Sequence, residues 1–337
     1  MKRFLNVTFF ILLIYFFLLS FADINYLLST VSSLVFPVLL IFFFRKIDVF
    51  EKEKYADLFY VFILGCTFSF FLSNFIYVPI RNLIMDENQC ANFFDCLLLV
   101  AIPEEIIKII PLIYVLKYKN FVDEPIDYLI YSSIGALGFA FIENIDYIRN
   151  FSETGNIVAV RSFMPLIMHI STSSILGFSI FLFINSNKRK YIIYALIFSS
   201  ILHAAYNSLM IGVIVLIFLI IVFSKLIQSL LNISPFYDES KEKDIIYGSN
   251  FLLIILFIVF TYNIINDIIL LGINHVLNNF YNYIFIIFYP FIIYRFISSR
   301  LSLRKANFVA LGPRSIKIKL IKEMQDIIIS YYKSNLK

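Results

Sequence analysis

Apolar positions in this chain run in unbroken blocks, with few polar interruptions, and most blocks are about as long as a bilayer is thick. A hydrocarbon slab of about 30 Å takes about 20 apolar residues per helical crossing. Runs of that kind predict spans at 4–22, 26–44, 57–79, 97–116, 126–148, 162–184, 191–210, 211–231, 250–271 and 279–297. The stretch from Tyr191 to Leu231 is too long for one crossing and, at about 1.5 Å per residue, fits two helices joined by a tight turn near Gly212. The predicted fold class is all-α, a polytopic transmembrane helical bundle of about ten spans.

Composition agrees with that pattern. At 61% hydrophobic and 15% charged residues, with 40 Phe, the chain lacks the polar surface of a soluble domain. Its partner is the lipid bilayer, and a net charge of +5 is too dilute for nucleic acid. With the N-terminus inside, 24 of the 28 Lys and Arg fall on the inner side. The outer connections hold only Arg81, Arg149 and Arg161, and Lys108 is buried. This asymmetry predicts N-in and C-in. Met1-Lys2-Arg3 leads into an apolar run through Phe21 with no small-residue cleavage site, which reads as a signal anchor.

Residues 1–232 are expected to form the membrane-embedded core, with the motif-bearing helices at about 97–210. Residues 233–300 would add two further spans beyond the polar connection at Asp238–Lys243, and 301–337 a basic inner-side tail. In that tail Ile316, Leu320, Ile321, Met324, Ile327 and Ile328 recur at near-helical spacing, which predicts an amphipathic interfacial helix, the alternative being a loosely ordered tail. Cys90 and Cys96 share an outer loop where oxidation permits a disulfide, and no cysteine has metal-ligand spacing.

Ionisable groups deep in a bilayer cost about 2.5–3.5 kcal/mol each and persist where they pair or work. Pro103-Glu104-Glu105-Ile106-Ile107-Lys108 places one ammonium on the helix face of two carboxylates, leaving one carboxylate without a full partner. Pro103 should kink the helix just before the pair. Glu143 and Asn144, with Tyr147 one turn on, occupy the next helix, and His169 the one after. His203 and Asn207 form an i, i+4 pair on the fourth. Each cluster lies about five to seven residues from the outer end of its span, roughly 8–11 Å at the helical rise, so four helices running in alternate directions bring them level. Taken singly, each admits a plainer reading: a neutralised ion pair at 104–108, or polar glue between helices at His169 and His203. Asp127, Asp146 and Asp267 lie near span ends within reach of water or headgroups, and His275 falls in a short outer turn.

The Glu-Glu-x-x-Lys of 104–108, the Phe-x-x-x-Glu-Asn of 139–144 with Tyr147, Arg161 followed by His169 and Gly177, and the His-x-x-x-Asn of 203–207 together resemble the PrsW family of intramembrane proteases. That family is distantly related to the CAAX prenyl proteases, within the bacteriocin-processing superfamily, and to the multi-span gamma-secretase scaffold subunit. The resemblance covers about residues 95–215. It implies peptide-bond hydrolysis in a single-span membrane-protein substrate, by a multi-pass protein of the bacterial cytoplasmic membrane. In bacterial members it implies the first cut in an anti-sigma factor, on the outer side.

The expected catalytic residues are Glu104, Glu105, His169, His203, Asn207 and Glu143, supported by Lys108, Asn144, Tyr147 and Arg161. One carboxylate of the Glu104/Glu105 pair would take the proton of an attacking water while Lys108 holds the other. His203 and Asn207 would donate to the oxyanion. His169 and Glu143 would orient water or protonate the leaving amine. Zinc held by His169, His203 and a Glu among Glu104, Glu105 and Glu143 is the alternative. The lack of a His-Glu-x-x-His helix favours the version with no cofactor. Two other classes stand beside hydrolysis. An ion- or proton-coupled transporter would use the same residue types, but here they gather near one face and no inverted repeat is apparent. A non-catalytic membrane scaffold would not need the acidic pair.

Overall fold

Long apolar runs have no water with which to pair their backbone, so within a membrane they satisfy it internally as helices. The computed structural model is helical accordingly, with no strand among the described residues. It describes residues 24–84, 92–150, 155–208, 212–241, 272–278 and 319–334, with isolated positions between 244 and 268. The expected spans at 4–22 and 279–297 lie outside these residues, as does most of 250–271.

Helix α1 is Ile24–Ile47. Helix α2 runs from Tyr55 to Leu72, through a π-turn at Ser73–Tyr77, and on to Ile84. Helix α3 begins at Phe93–Cys96, passes a second π-turn at Leu97–Ala101 and continues over Ile102–Tyr118. Helices α4 (Pro125–Asn150), α5 (Gly155–Ser186), α6 (Lys190–Ser208) and α7 (Gly212–Asn232) follow. A 3-10 turn at Glu239–Lys241, a short helix α8 (Ile273–Asn278) and the tail helix α9 (Lys319–Ser334) complete the described elements. Tyr191–Leu231 thus lies in two helices, parting between Ser208 and Gly212. Among the described residues, four stretches are long and apolar enough to cross a membrane: Tyr55–Leu83, Pro125–Ile145, Met164–Ser186 and Ile214–Asn232.

Helix α4 is the axis of the bundle, with α2, α3 and α5 packed around it. Small residues allow that proximity, as they do between membrane helices generally. A Cβ on Gly138 would stand 2.4 Å from the Phe62 carbonyl oxygen of α2, and one on Gly177 would stand 2.2 Å from the Tyr128 carbonyl oxygen. Hydroxyls along the same seam return their protons to their own helices: Ser132 to the Leu129 carbonyl, Thr172 to Met168 and Ser179 to Leu176. Buried hydroxyls so paired carry little desolvation penalty.

One sequence expectation is corrected, at Asp127, and two gain detail. Pro103 sits just after a π-turn, where the Ile102 N–H reaches back to the Leu97 carbonyl; the wide turn accommodates a ring that cannot donate in the α pattern. Asp127 is buried, 1% exposed, and not solvated. Its Oδ2 accepts the Asp123 and Glu124 backbone N–H groups at 2.9 Å each, satisfying donors at the start of α4. The tail helix docks on protein: Ile328 is fully buried, Tyr331 meets Phe181 edge-on at 5.1 Å, and Lys190 donates to Glu323. The side chains of Asp146 and His275, and residue Asp267, lie outside the described ones.

At one end of the bundle the connection after α1 folds inward. Asp48 Oδ2 accepts the Glu53 N–H at 2.7 Å, Arg45 Nε donates to the Glu53 carbonyl at 2.8 Å, and Ser234 Oγ donates to Glu124. Burial pushes the Asp48 carboxyl up to about 8. Burial, with the Asp48 charge adding to it, pushes Glu124 up to about 9.

Both carboxyls bind protons more tightly folded than unfolded, so their contribution to stability is full below the ordinary carboxylate range and is lost as pH rises through about 8 to 9. The thermal midpoint in detergent should therefore fall between about pH 6 and about pH 9, and Asp48→Asn should flatten that fall; an unchanged slope in the variant would remove Asp48 from the account. Gly138→Val should lower the same midpoint through about 1–3 kcal/mol of overpacking, with Gly138→Ala milder.

Candidate functional site

The polar residues of α3, α4, α5 and α6 meet inside the bundle. Glu104 and Glu105 are adjacent on α3 and so diverge by about 100° around its axis. Glu105 is fully buried, and its Oε1 accepts from Lys108 Nζ at 2.5 Å and from His203 Nδ1 at 2.9 Å. Glu104 faces the other ring nitrogen of His203, with 3.6 Å between Oε2 and Nε2. A single imidazole on α6 thus bridges both carboxylates.

Lys108 has more than one proton to place. Besides Glu105 it donates to His169 Nδ1 at 3.0 Å, and its ammonium lies 5.5 Å from the centre of the Phe139 ring. The far nitrogen of His169, Nε2, donates to Glu143 Oε2 at 2.9 Å. The two imidazoles stand edge to face, 5.3 Å between centres. One hydrogen-bonded web therefore runs Glu143–His169–Lys108–Glu105–His203 across four helices. Along it burial is near complete until Glu143, whose side chain is 21% exposed.

The web is not closed on itself. Glu105 Oε2 is buried without a partner among the described residues, a condition that costs free energy unless something else is bound. Glu104, His169 and His203 each offer one donor atom, and these atoms lie within 4.8 Å of one another. Two imidazoles and a carboxylate are a donor set that suits zinc. His203 fits well, because Nδ1 donates to Glu105 while Nε2 stays available, an orienting carboxylate behind a ligand. His169 has Lys108 at one nitrogen and Glu143 at the other, so serving as a ligand requires release of one of them.

The remaining residues expected from sequence are placed as follows. Asn144 is buried beside Glu143, Tyr147 is 36% exposed, and Asn207 is exposed one turn beyond buried His203. Arg161 belongs to the first part of α5, where side chains lie outside the described ones. Sequence reasoning missed Tyr77 and Arg81. Arg81 reads from sequence as part of an outer connection, but α2 continues to Ile84, the Arg81 charge acts on Glu104, and Tyr77 lies within reach of the Glu104 charge. The available signal was a Tyr and an Arg four residues apart at the end of an apolar run. Cys96 is disulfide-bonded and Cys66 is a free buried thiol; Cys90 lies outside the described residues.

Comparison with known proteins places this site in context. Residues 53–233 match the model of the PrsW family intramembrane metalloprotease. The chain belongs to the PrsW family. It is 27% identical over 226 residues to a protease PrsW of Clostridioides difficile (strain 630), covering 62% of this chain and 91% of that one. It is 30% identical over 190 residues to a protease PrsW of Geobacillus kaustophilus (strain HTA426), covering 55% of this chain and 80% of that one. No solved structure matches the chain. As a PrsW protease it is a bacterial multi-pass membrane protein and a peptide hydrolase, and the matched region contains every helix of the polar web.

Because Lys108 and Glu105 are both fully buried, removing the ammonium strands a carboxylate. Lys108→Met should cost about 3–5 kcal/mol of stability, and adding Glu105→Leu should recover much of it. Thermal unfolding of the single and double variants in detergent checks this; equal losses in both would mean the pair is not the stabilising unit.

Proposed function

We propose that the chain is an intramembrane endopeptidase that cuts a single-span membrane protein near the outer face of the bilayer, with Glu104, His169 and His203 holding a catalytic divalent metal, zinc by donor chemistry. The observation that supports this reading is the convergence of those three donors within 4.8 Å from three different helices, in a family whose model is described as a metalloprotease. When bound, such an ion supplies Lewis-acid polarisation of a carbonyl and stabilises developing negative charge.

The protein's own groups do the rest. Glu105, which takes Lys108 and His203 through Oε1 and is the most deeply buried of the three carboxylates, orients the His203 ring and stays out of proton transfer. Glu143 is the carboxylate most open to water and hydrogen-bonds His169, so it takes the proton of the attacking water and returns it to the leaving amine. The depth expected from the spans puts the cut toward the outer leaflet. The anti-sigma factor role implied by the family resemblance is the substrate class proposed here.

A second reading rests on one contact. Lys108 Nζ at 3.0 Å from His169 Nδ1, with Glu143 on Nε2, leaves that imidazole no free lone pair, which suits a metal-free site in which Glu104 is the general base. Under either reading Glu104→Gln should lower cleavage by about 10²–10⁴-fold with membrane insertion intact. The test compares fragments of single-span proteins in cells carrying wild type or Glu104→Gln; fragments common to both would reject the site. Metal analysis of purified protein, with activity before and after chelation, separates the readings: about one zinc per chain and loss on chelation support the first, and full activity without metal supports the second.

A further inference from the structure

Peptide hydrolysis gains from a hydrogen-bond donor to the oxygen that becomes negative, beside any metal, and most donors of the web described above are spent on its own acceptors. Lys108 is committed to Glu105 and His169, His203 Nδ1 to Glu105, and His169 Nε2 to Glu143. Asn207, the side-chain donor expected from sequence, is exposed one turn away from His203. A donor within electrostatic reach of Glu104 and Glu143, its proton not taken up by any described acceptor, is found on a different helix.

That donor is Tyr77. It closes the π-turn Ser73–Tyr77 of α2, where the Val78 N–H bonds the Ser73 carbonyl five residues back. Such wide turns re-aim side chains and recur at functional sites. Its Oη is buried and donates to no acceptor among the described residues, with the Arg81 guanidinium near enough to interact with its oxygen. The ring lies near enough to Glu104 and Glu143 to feel both charges. One turn further on, the Arg81 guanidinium carbon stands 5.4 Å from the centre of the Tyr77 ring, and the Arg81 charge also acts on Glu104. A buried hydroxyl that donates to no described acceptor, within reach of the charges of two site carboxylates and backed by a cation, is suited to meet negative charge as it develops.

We propose that Tyr77 donates its phenolic hydrogen bond to the scissile carbonyl oxygen as that oxygen becomes an oxyanion, and that Arg81 acts as a positioning residue that keeps the hydroxyl turned toward it. The proposal rests on the peptidase reading of the site. In the step it serves, the water oxygen bonds to the carbonyl carbon and its proton passes to a site carboxylate. The π pair of the C=O bond moves onto oxygen, where Tyr77 meets it. When that pair returns, the C–N bond breaks and the carboxylate's proton goes to the amine nitrogen. Tyr77 keeps its own proton throughout. Its hydrogen bond is stronger to the oxyanion than to the ground-state carbonyl, which is the condition for raising kcat.

The experiment uses full-length wild type, Glu104→Gln, Tyr77→Phe, Arg81→Leu and Arg81→Lys in lipid vesicles. The substrate is a fluorogenic single-span peptide carrying the junction mapped in the cell comparison, and the binding probe is a phosphinic pseudopeptide of the same sequence. Tyr77→Phe should lower kcat by about 10²–10³-fold with KM nearly unchanged. It should weaken the tetrahedral phosphinic probe by a similar factor and leave metal content and thermal midpoint at wild-type values. Arg81→Leu should lower kcat, Arg81→Lys should restore much of it, and Arg81→Leu should add little once Tyr77 is Phe. Wild-type kcat in Tyr77→Phe, or a loss confined to KM or to stability, overturns the proposal while an inactive Glu104→Gln keeps the peptidase reading. An active Glu104→Gln overturns that reading and the proposal with it.

Discussion

The Lys108 ammonium is buried where water cannot reach it, and the arrangement of the surrounding groups follows from that. An isolated buried cation is among the most costly groups a membrane bundle can hold. It is tolerated here because Glu105 lies one helical turn away on the same helix and a His169 nitrogen and an aromatic face approach from neighbouring helices. Satisfying Lys108 requires α3, α4 and α5 to sit at one depth, and satisfying Glu105 adds α6 through His203. The site is therefore a packing constraint as much as a chemical one.

That constraint explains why polar residues from four helices meet although each occupies a small part of its own. Most of the surface between the helices is apolar or small, and lipid offers no hydrophobic reason for them to choose one rotation over another. The hydrogen-bonded web supplies rotational specificity, and the close approaches at Gly138 and Gly177 supply the distance at which those bonds can form. Hydroxyls returned to their own helices keep the rest of the interface electrically quiet.

Much of this was legible before any coordinates. Apolar runs located the helices of the described bundle, most ends to within a few residues and the start of α5 and end of α2 less closely, including the division of the Tyr191–Leu231 stretch, because backbone satisfaction in lipid leaves few alternatives. Depth arithmetic brought Glu104, Glu143, His169 and His203 to one level, and the structure brings these four together. Rotation about each helix was harder to read. Nothing in the spacing says which of Glu104 and Glu105 takes Lys108, or that Asn207 stays exposed while His203 is buried. The end of α2 was also misjudged: Arg81 reads as a loop charge because an Arg ordinarily marks the edge of a span, whereas here it lies within a helix that reaches Ile84. Asp127 was misread for a related reason, its carboxylate serving backbone amides at a helix start that proximity to a span end does not reveal.

The π-turn at Leu97–Ala101 has a consequence for how the chain tolerates change. A turn that holds one residue more than the α pattern advances everything after it by about 100° around the helix axis. The inward aim of Glu104, Glu105 and Lys108 is thus a matter of phase, set one turn earlier by residues that carry no chemistry themselves. Loss of a single amino acid there would leave the composition and apolar length of α3 almost untouched while rotating its charged face toward lipid, so this short apolar stretch is under as strict a length requirement as the acids it precedes.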